Sequence, residues 1–202
     1  MDKGRLEAFS DGVIAILITI MVLELKVPHG TDWDALRSIV PVMLPYVLSF
    51  VFLGIYWNNH HHMLQATEHI NGAVLWANLH LLFWLSLVPF VTEWVGEFPS
   101  APLPTAVYGC VLVCAAVAYT ILQTVIIWCQ APHSKLAAAV AHDVKGKLSI
   151  VLYLMAIAMA FVHPWIADAI YVAVALIWLV PDRRIESRLS REPRGGRTDP
   201  LS

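Results

Sequence analysis

Six apolar runs divide this chain, at about 9–27, 39–60, 74–95, 105–128, 148–162 and 165–180. Most lie near the ~20 residues that an α-helix needs to cross ~30 Å of hydrocarbon. A backbone in lipid must satisfy its own N–H and C=O groups, so runs of this kind fold as helices. The expectation is an all-α integral membrane protein with six transmembrane helices in a membrane domain spanning 1–182. The composition agrees, with 58% hydrophobic and 14% charged residues and a mean hydropathy of +0.66, outside the range of soluble domains. No small-residue cleavage site follows the first run, which therefore reads as a retained span. Pro28-His29-Gly30 ends that run, Gly96 with Pro99, Pro102 and Pro104 forms turns after the third, and His163-Pro164 joins the short fifth and sixth as a helical hairpin. Pro41 and Pro45 fall in the first turns of the second span, where a missing amide costs least.

Charge orients the spans. Eleven of the thirteen lysines and arginines fall on one side of a six-span topology: Lys3, Arg5, Lys135, Lys145, Lys147 and the six arginines from Arg183 to Arg197. The other side holds Lys26 and Arg37. The positive-inside rule then places both termini in the cytoplasm, with 183–202 as a basic, disordered tail able to touch anionic lipid. Trp33, Trp57, Trp94, Trp128, Trp165 and Trp178 fall near span ends as an interfacial belt, whereas Trp76 and Trp84 do not. A net charge of −2 gives no electrostatic footprint for nucleic acid.

Chemistry-bearing residues are few. Cys110, Cys114 and Cys129 have no metal-ligand or disulfide spacing and read as small packing residues. His60, His61 and His62 cannot share one helix face, and His29, His69, His80, His133, His142 and His163 are scattered, so neither a metal centre nor an enzyme is expected. Ile16, Thr19, Ile20 and Leu23 recur at helical spacing on one face of the first span, and Gly12 extends it by a turn. Ordinary packing, with the Thr19 hydroxyl bonded back to its own helix, explains that face as well as a conduit does. Asp11 has two readings: a functional carboxylate at a span edge, or, with Ser10, the cap of a helix beginning at Gly12. One of His60–His62, together with Asn58, Asn78 or Trp84, is expected to hydrogen-bond Asp11 or Ser10 and tie the first three spans together. Glu24, Glu93 and Glu97 sit on the outer side, where they could raise local cation concentration.

Arg5-x-x-x-Phe9-Ser10-Asp11 and the apolar helix after it resemble the opening of the transmembrane protein 175 family of potassium-permeable channels. Trp57-x-x-His60-His61 and the run from Asn78-Leu79 to Pro89-Phe90 resemble it too. The resemblance implies a modestly potassium-selective, passive cation channel, with potassium as permeant and no cofactor. The first helix would line the pore, with Ile16, Thr19 and Leu23 at its constriction, Gly12 and Ile20 beside them, and no Thr-Val-Gly-Tyr-Gly carbonyl filter. It assigns Arg5, Phe9, Ser10, Asp11, His60, His61, Asn78 and Trp84 to packing and gating. Animal members carry two six-span repeats. A single repeat implies a homotetramer around a four-fold axis, in a prokaryotic plasma membrane. The rival from the residues alone is a proton-coupled transporter using Asp11 and a second-span histidine.

Overall fold

A computed structural model describes residues 2–67, 69–129 and 144–179. Lys135, His133, His142, Val180 and the tail 183–202 lie outside the described residues. Eight helices occupy the described residues: α1 Lys3–Leu23, α2 Trp33–Ser38, α3 Val40–Gln65, α4 Gly72–Ser86, α5 Val88–Glu97, α6 Pro102–Trp128, α7 Val144–Ala160 and α8 Pro164–Leu179.

Helix boundaries differ from the apolar runs because backbone hydrogen bonding continues into polar sequence that hydropathy does not count. The first helix starts near Asp2 and ends at Glu24, so Arg5 through Asp11 are helical. Ser10 and Asp11 are therefore not caps, and Ser10 Oγ donates to the Leu6 carbonyl at 2.9 Å within its own helix. Side-chain caps do open α2, where Asp32 accepts from the Ala35 amide at 2.8 Å, and α4, where Asn71 accepts from Val74 at 3.0 Å. Pro102 and Pro104 lie in the first turn of α6 instead of forming a turn before it, where the missing N–H is an orphan in any case. The third run breaks at Leu87 into α4 and α5, with Pro89 in the first turn of α5.

Contacts at the helix ends fix an up-and-down course. Lys3 Nζ donates to the Gln65 carbonyl at 2.8 Å, and Asn71 reaches Cys129 Sγ at 3.0 Å, so the start of α1 lies by the end of α3 and the start of α4 by the end of α6. At the opposite end, Lys26 faces Glu97 at 3.6 Å, after α1 and at the close of α5. Four helical stretches are long and apolar enough to cross a membrane: α1, α3, α4 continued by α5, and α6. The α7–α8 pair is shorter.

One apolar core runs through the bundle, including Ile14, Phe52, Leu53, Leu81, Leu85, Leu112, Leu122 and Ile126. Two of the polar ties within it involve α6. Thr92 Oγ1 donates to the Val88 carbonyl at 2.6 Å, so Ser49 donates to Thr92 at 2.6 Å and Tyr108 donates to Ser49 at 2.9 Å, joining α3, α5 and α6. Tyr171 donates to the Thr105 carbonyl at 3.0 Å, joining α8 to α6. Gly109 allows this second tie, for a Cβ there would collide with the Tyr171 phenol and with Ile157.

Candidate functional site

α1 divides into two faces. Leu6, Ser10, Ile14, Leu17 and Met21 are buried against the core. Gly12, Ile16, Thr19, Ile20 and Leu23 are all exposed, with Ile16 at 57% and Leu23 at 79%. The structure thus brings the five residues picked by periodicity onto one face, which the other described residues leave exposed. Thr19 Oγ1 donates to the Ile16 carbonyl at 2.9 Å. Its single proton is used there, which leaves the hydroxyl oxygen's lone pairs as acceptors.

A hydrogen-bond chain behind that face holds α1 in place. Asn78 Nδ2 donates to Ser10 Oγ at 2.9 Å, and Asn78 Oδ1 lies 2.7 Å from His60 Nε2. An amide oxygen only accepts, so His60 donates from Nε2. The order is His60 to Asn78 to Ser10 to the Leu6 carbonyl, crossing α3, α4 and α1, and all three side chains are at most 1% exposed. In so dry a site each link is strengthened and each missing partner is costly. His60 Nδ1 and Glu7 Oε1 are also buried, with no partner among the described residues.

The expected partners change in three respects. Histidine reaches Ser10 only through Asn78. Asp11 is held by the Trp57 indole, whose Nε1 donates to Oδ1 at 3.0 Å, and not by a histidine. Trp84 belongs to neither link; it donates to His80 at 3.0 Å. His61 stacks on Trp57 with ring centroids 6.0 Å apart and lies 2.9 Å from Gln65 Nε2. Asn58, Arg5 and Phe9 are exposed, and the Arg5 guanidinium has no partner among the described residues.

Sequence reasoning passed over Ser49, Thr92 and Tyr108, whose signal was hydroxyls inside apolar runs. It also passed over Asp168, a half-buried carboxylate inside α8 with no hydrogen bond or ion pair among the described residues. At the far end of α1, Glu97 pairs with Lys26, an exposed contact of little energetic weight.

The comparisons with known proteins follow these residues. The family model described as endosomal/lysosomal potassium channel TMEM175 matches residues 5–89, the stretch that carries α1 and the His60–Asn78–Ser10 chain. A potassium channel of Chryseobacterium sp. (strain P1-3) is 57% identical over 189 residues, 94% of this chain and 98% of that one. The endosomal/lysosomal proton channel TMEM175 of Gallus gallus is 31% identical over 110 residues, 48% of this chain but 22% of that protein. Among solved structures, the crystal structure of a lysosomal potassium-selective channel TMEM175 homolog from Chamaesiphon minutus matches with a TM-score of 0.76 at 28% identity, covering 88% of this chain and 96% of that one. Identity of this extent, running nearly end to end in a relative of similar length, places the chain in the TMEM175 family.

Proposed function

We propose that this protein is a passive, potassium-favouring cation channel: a homotetramer of six-span subunits whose α1 helices surround the conduction path. The observation that carries the reading is the two-faced α1. One face is anchored by a buried polar chain, and the other, carrying Gly12, Ile16, Thr19, Ile20 and Leu23, is exposed among the described residues. That bare face covers only ~17 Å of helix axis, bounded by Asp11 and Glu24, whereas a stripe built for lipid should match the ~30 Å hydrocarbon thickness. The potassium preference rests on the bacterial relatives named as potassium channels.

In this assembly Ile16 and Leu23 form apolar rings that constrict the path. Between them four Thr19 oxygens, their protons held by Ile16 carbonyls, face a partly dehydrated cation. The His60–Asn78–Ser10 chain and the Trp57–Asp11 bond keep α1 in register with α3 and α4 without touching the ion. α7 and α8, of 17 and 16 residues, complete six spans as a tilted or locally thinned hairpin. The basic residues Lys3, Arg5, Lys145 and Lys147 support an orientation with both termini on the cytoplasmic side of the plasma membrane.

Potassium flux from reconstituted vesicles tests the reading. Flux is expected at symmetric pH, whereas a proton-coupled transporter requires a pH gradient. Thr19→Ala is expected to lower potassium-over-sodium preference about fivefold, the equivalent of roughly 1 kcal/mol of lost cation stabilisation. Ile16→Ala or Leu23→Ala should raise flux or weaken selectivity. An unchanged permeability ratio in Thr19→Ala removes threonine from the filter.

A further inference from the structure

Away from α1, the helices α3, α6, α7 and α8 splay around a narrow slot near the start of α7, with about 40 Å³ of free volume inside and about 470 Å³ counted out to its mouth. Its walls are largely aromatic, with Phe52 and Tyr56 from α3, Tyr119 from α6, Tyr153 from α7 and Trp178 from α8. Most polar groups there are already used. Trp178 Nε1 donates to Ser149 Oγ at 2.8 Å, and Ser149 donates to the Lys145 carbonyl at 2.8 Å. Thr120 bonds back to the Ala116 carbonyl at 2.9 Å. Two residues differ: Tyr56 and Tyr153 line the slot, and their hydroxyls have no hydrogen-bond partner among the described residues, although Tyr153 is only 3% exposed. Buried phenols need acceptors.

Among the described residues no charged side chain lines the slot, but its rim at Gly146 is flanked in sequence by Lys145 and Lys147. From Gly146 to Tyr153 the axis of α7 covers ~10 Å. The occupant must therefore be apolar where the rings are, offer hydrogen-bond acceptors a few ångströms in, and carry negative charge at the rim. An organic cation fails on the last two counts. We propose that the slot binds one anionic phospholipid of the cytoplasmic leaflet, its acyl chain between the aromatic rings, its ester carbonyls accepting from Tyr56 and Tyr153, and its phosphate beside the lysines. The choice of leaflet rests on the orientation proposed above; the binding itself does not depend on conduction.

Native mass spectrometry of the full-length protein, titrated with phosphatidylglycerol or with phosphatidylcholine of the same acyl chains, tests this site. The wild type is expected to bind phosphatidylglycerol at least about fivefold tighter. Tyr56→Phe with Tyr153→Phe keeps the packing volume and should weaken both lipids about 3- to 10-fold. Lys147→Gln should reduce the preference for phosphatidylglycerol, and Thr120→Leu, which fills the slot, should abolish the tightest event for both lipids. The oligomer mass in the same spectra and unchanged helical circular dichroism show that each variant is folded. Undiminished binding in both the double phenylalanine variant and Thr120→Leu places the lipid elsewhere and overturns the proposal. Equal affinity for the two lipids in the wild type overturns its charge assignment.

Discussion

Asn78→Leu is expected to destabilise the protein by about 2–4 kcal/mol, read as a fall of roughly 5–15 °C in the apparent unfolding midpoint in detergent at a fixed scan rate. Asn78 is fully buried and connects two helices to a third through one amide. Leucine removes the acceptor for His60 Nε2 and leaves that donor in a dry interior, where an unmet hydrogen bond costs about 1–3 kcal/mol in addition to the bond lost. Ser10 is affected less, because its proton still goes to the Leu6 carbonyl. The same reasoning predicts a rescue. His60→Phe in the Asn78→Leu background removes the stranded donor while filling its space, and the double variant should recover at least half of the loss, since exchanging both partners for apolar groups of similar shape is close to neutral. Losses that simply add would show that packing volume, and not the hydrogen bond, fixes α1 against α3 and α4.

The exposed face of α1 was legible because a helix repeats every 3.6 residues, so residues at that spacing share a face whatever they meet. Gly12, Ile16, Thr19, Ile20 and Leu23 follow from spacing alone. The anchoring residues were legible only as types. Ser10, Asp11, His60 and Asn78 are polar groups in apolar surroundings and must bond to something, but which pairs meet depends on the rotation of α3 and α4 about their own axes. Trp57 shows the difficulty: an indole at a span end looks like an interfacial anchor, yet its N–H is committed to Asp11, 46 residues away. Helix starts were misplaced where polar residues continue the backbone ladder, as at Lys3, and where proline opens a helix instead of ending one, as at Pro102. The slot beside Tyr153 could not be read at all, since it arises from the splay of four helices and not from any one of them.

Gly12→Leu separates fold from conduction. In the subunit an added Cβ at Gly12 meets nothing within 4 Å, and leucine is a better helix former than glycine by about 1 kcal/mol or slightly less. Helicity and thermal midpoint should therefore hold or rise slightly. In a tetramer built on the exposed face of α1, the same change places four isobutyl groups around the axis one turn from Ile16. Potassium flux from vesicles is expected to fall at least about tenfold, the equivalent of roughly 1.4 kcal/mol added to the barrier. Gly109→Ala should give the opposite pattern. There a Cβ strikes the Tyr171 phenol and Ile157, so the α6–α8 contact opens and the Tyr171–Thr105 bond is lost. A cost of about 1–3 kcal/mol from overpacking, with more for the broken bond, lowers the midpoint, while flux per correctly assembled tetramer should stay near wild type. Wild-type flux through a folded, tetrameric Gly12→Leu channel would mean that this face of α1 meets lipid or a neighbouring helix, and the conduction path would have to be sought elsewhere in the assembly.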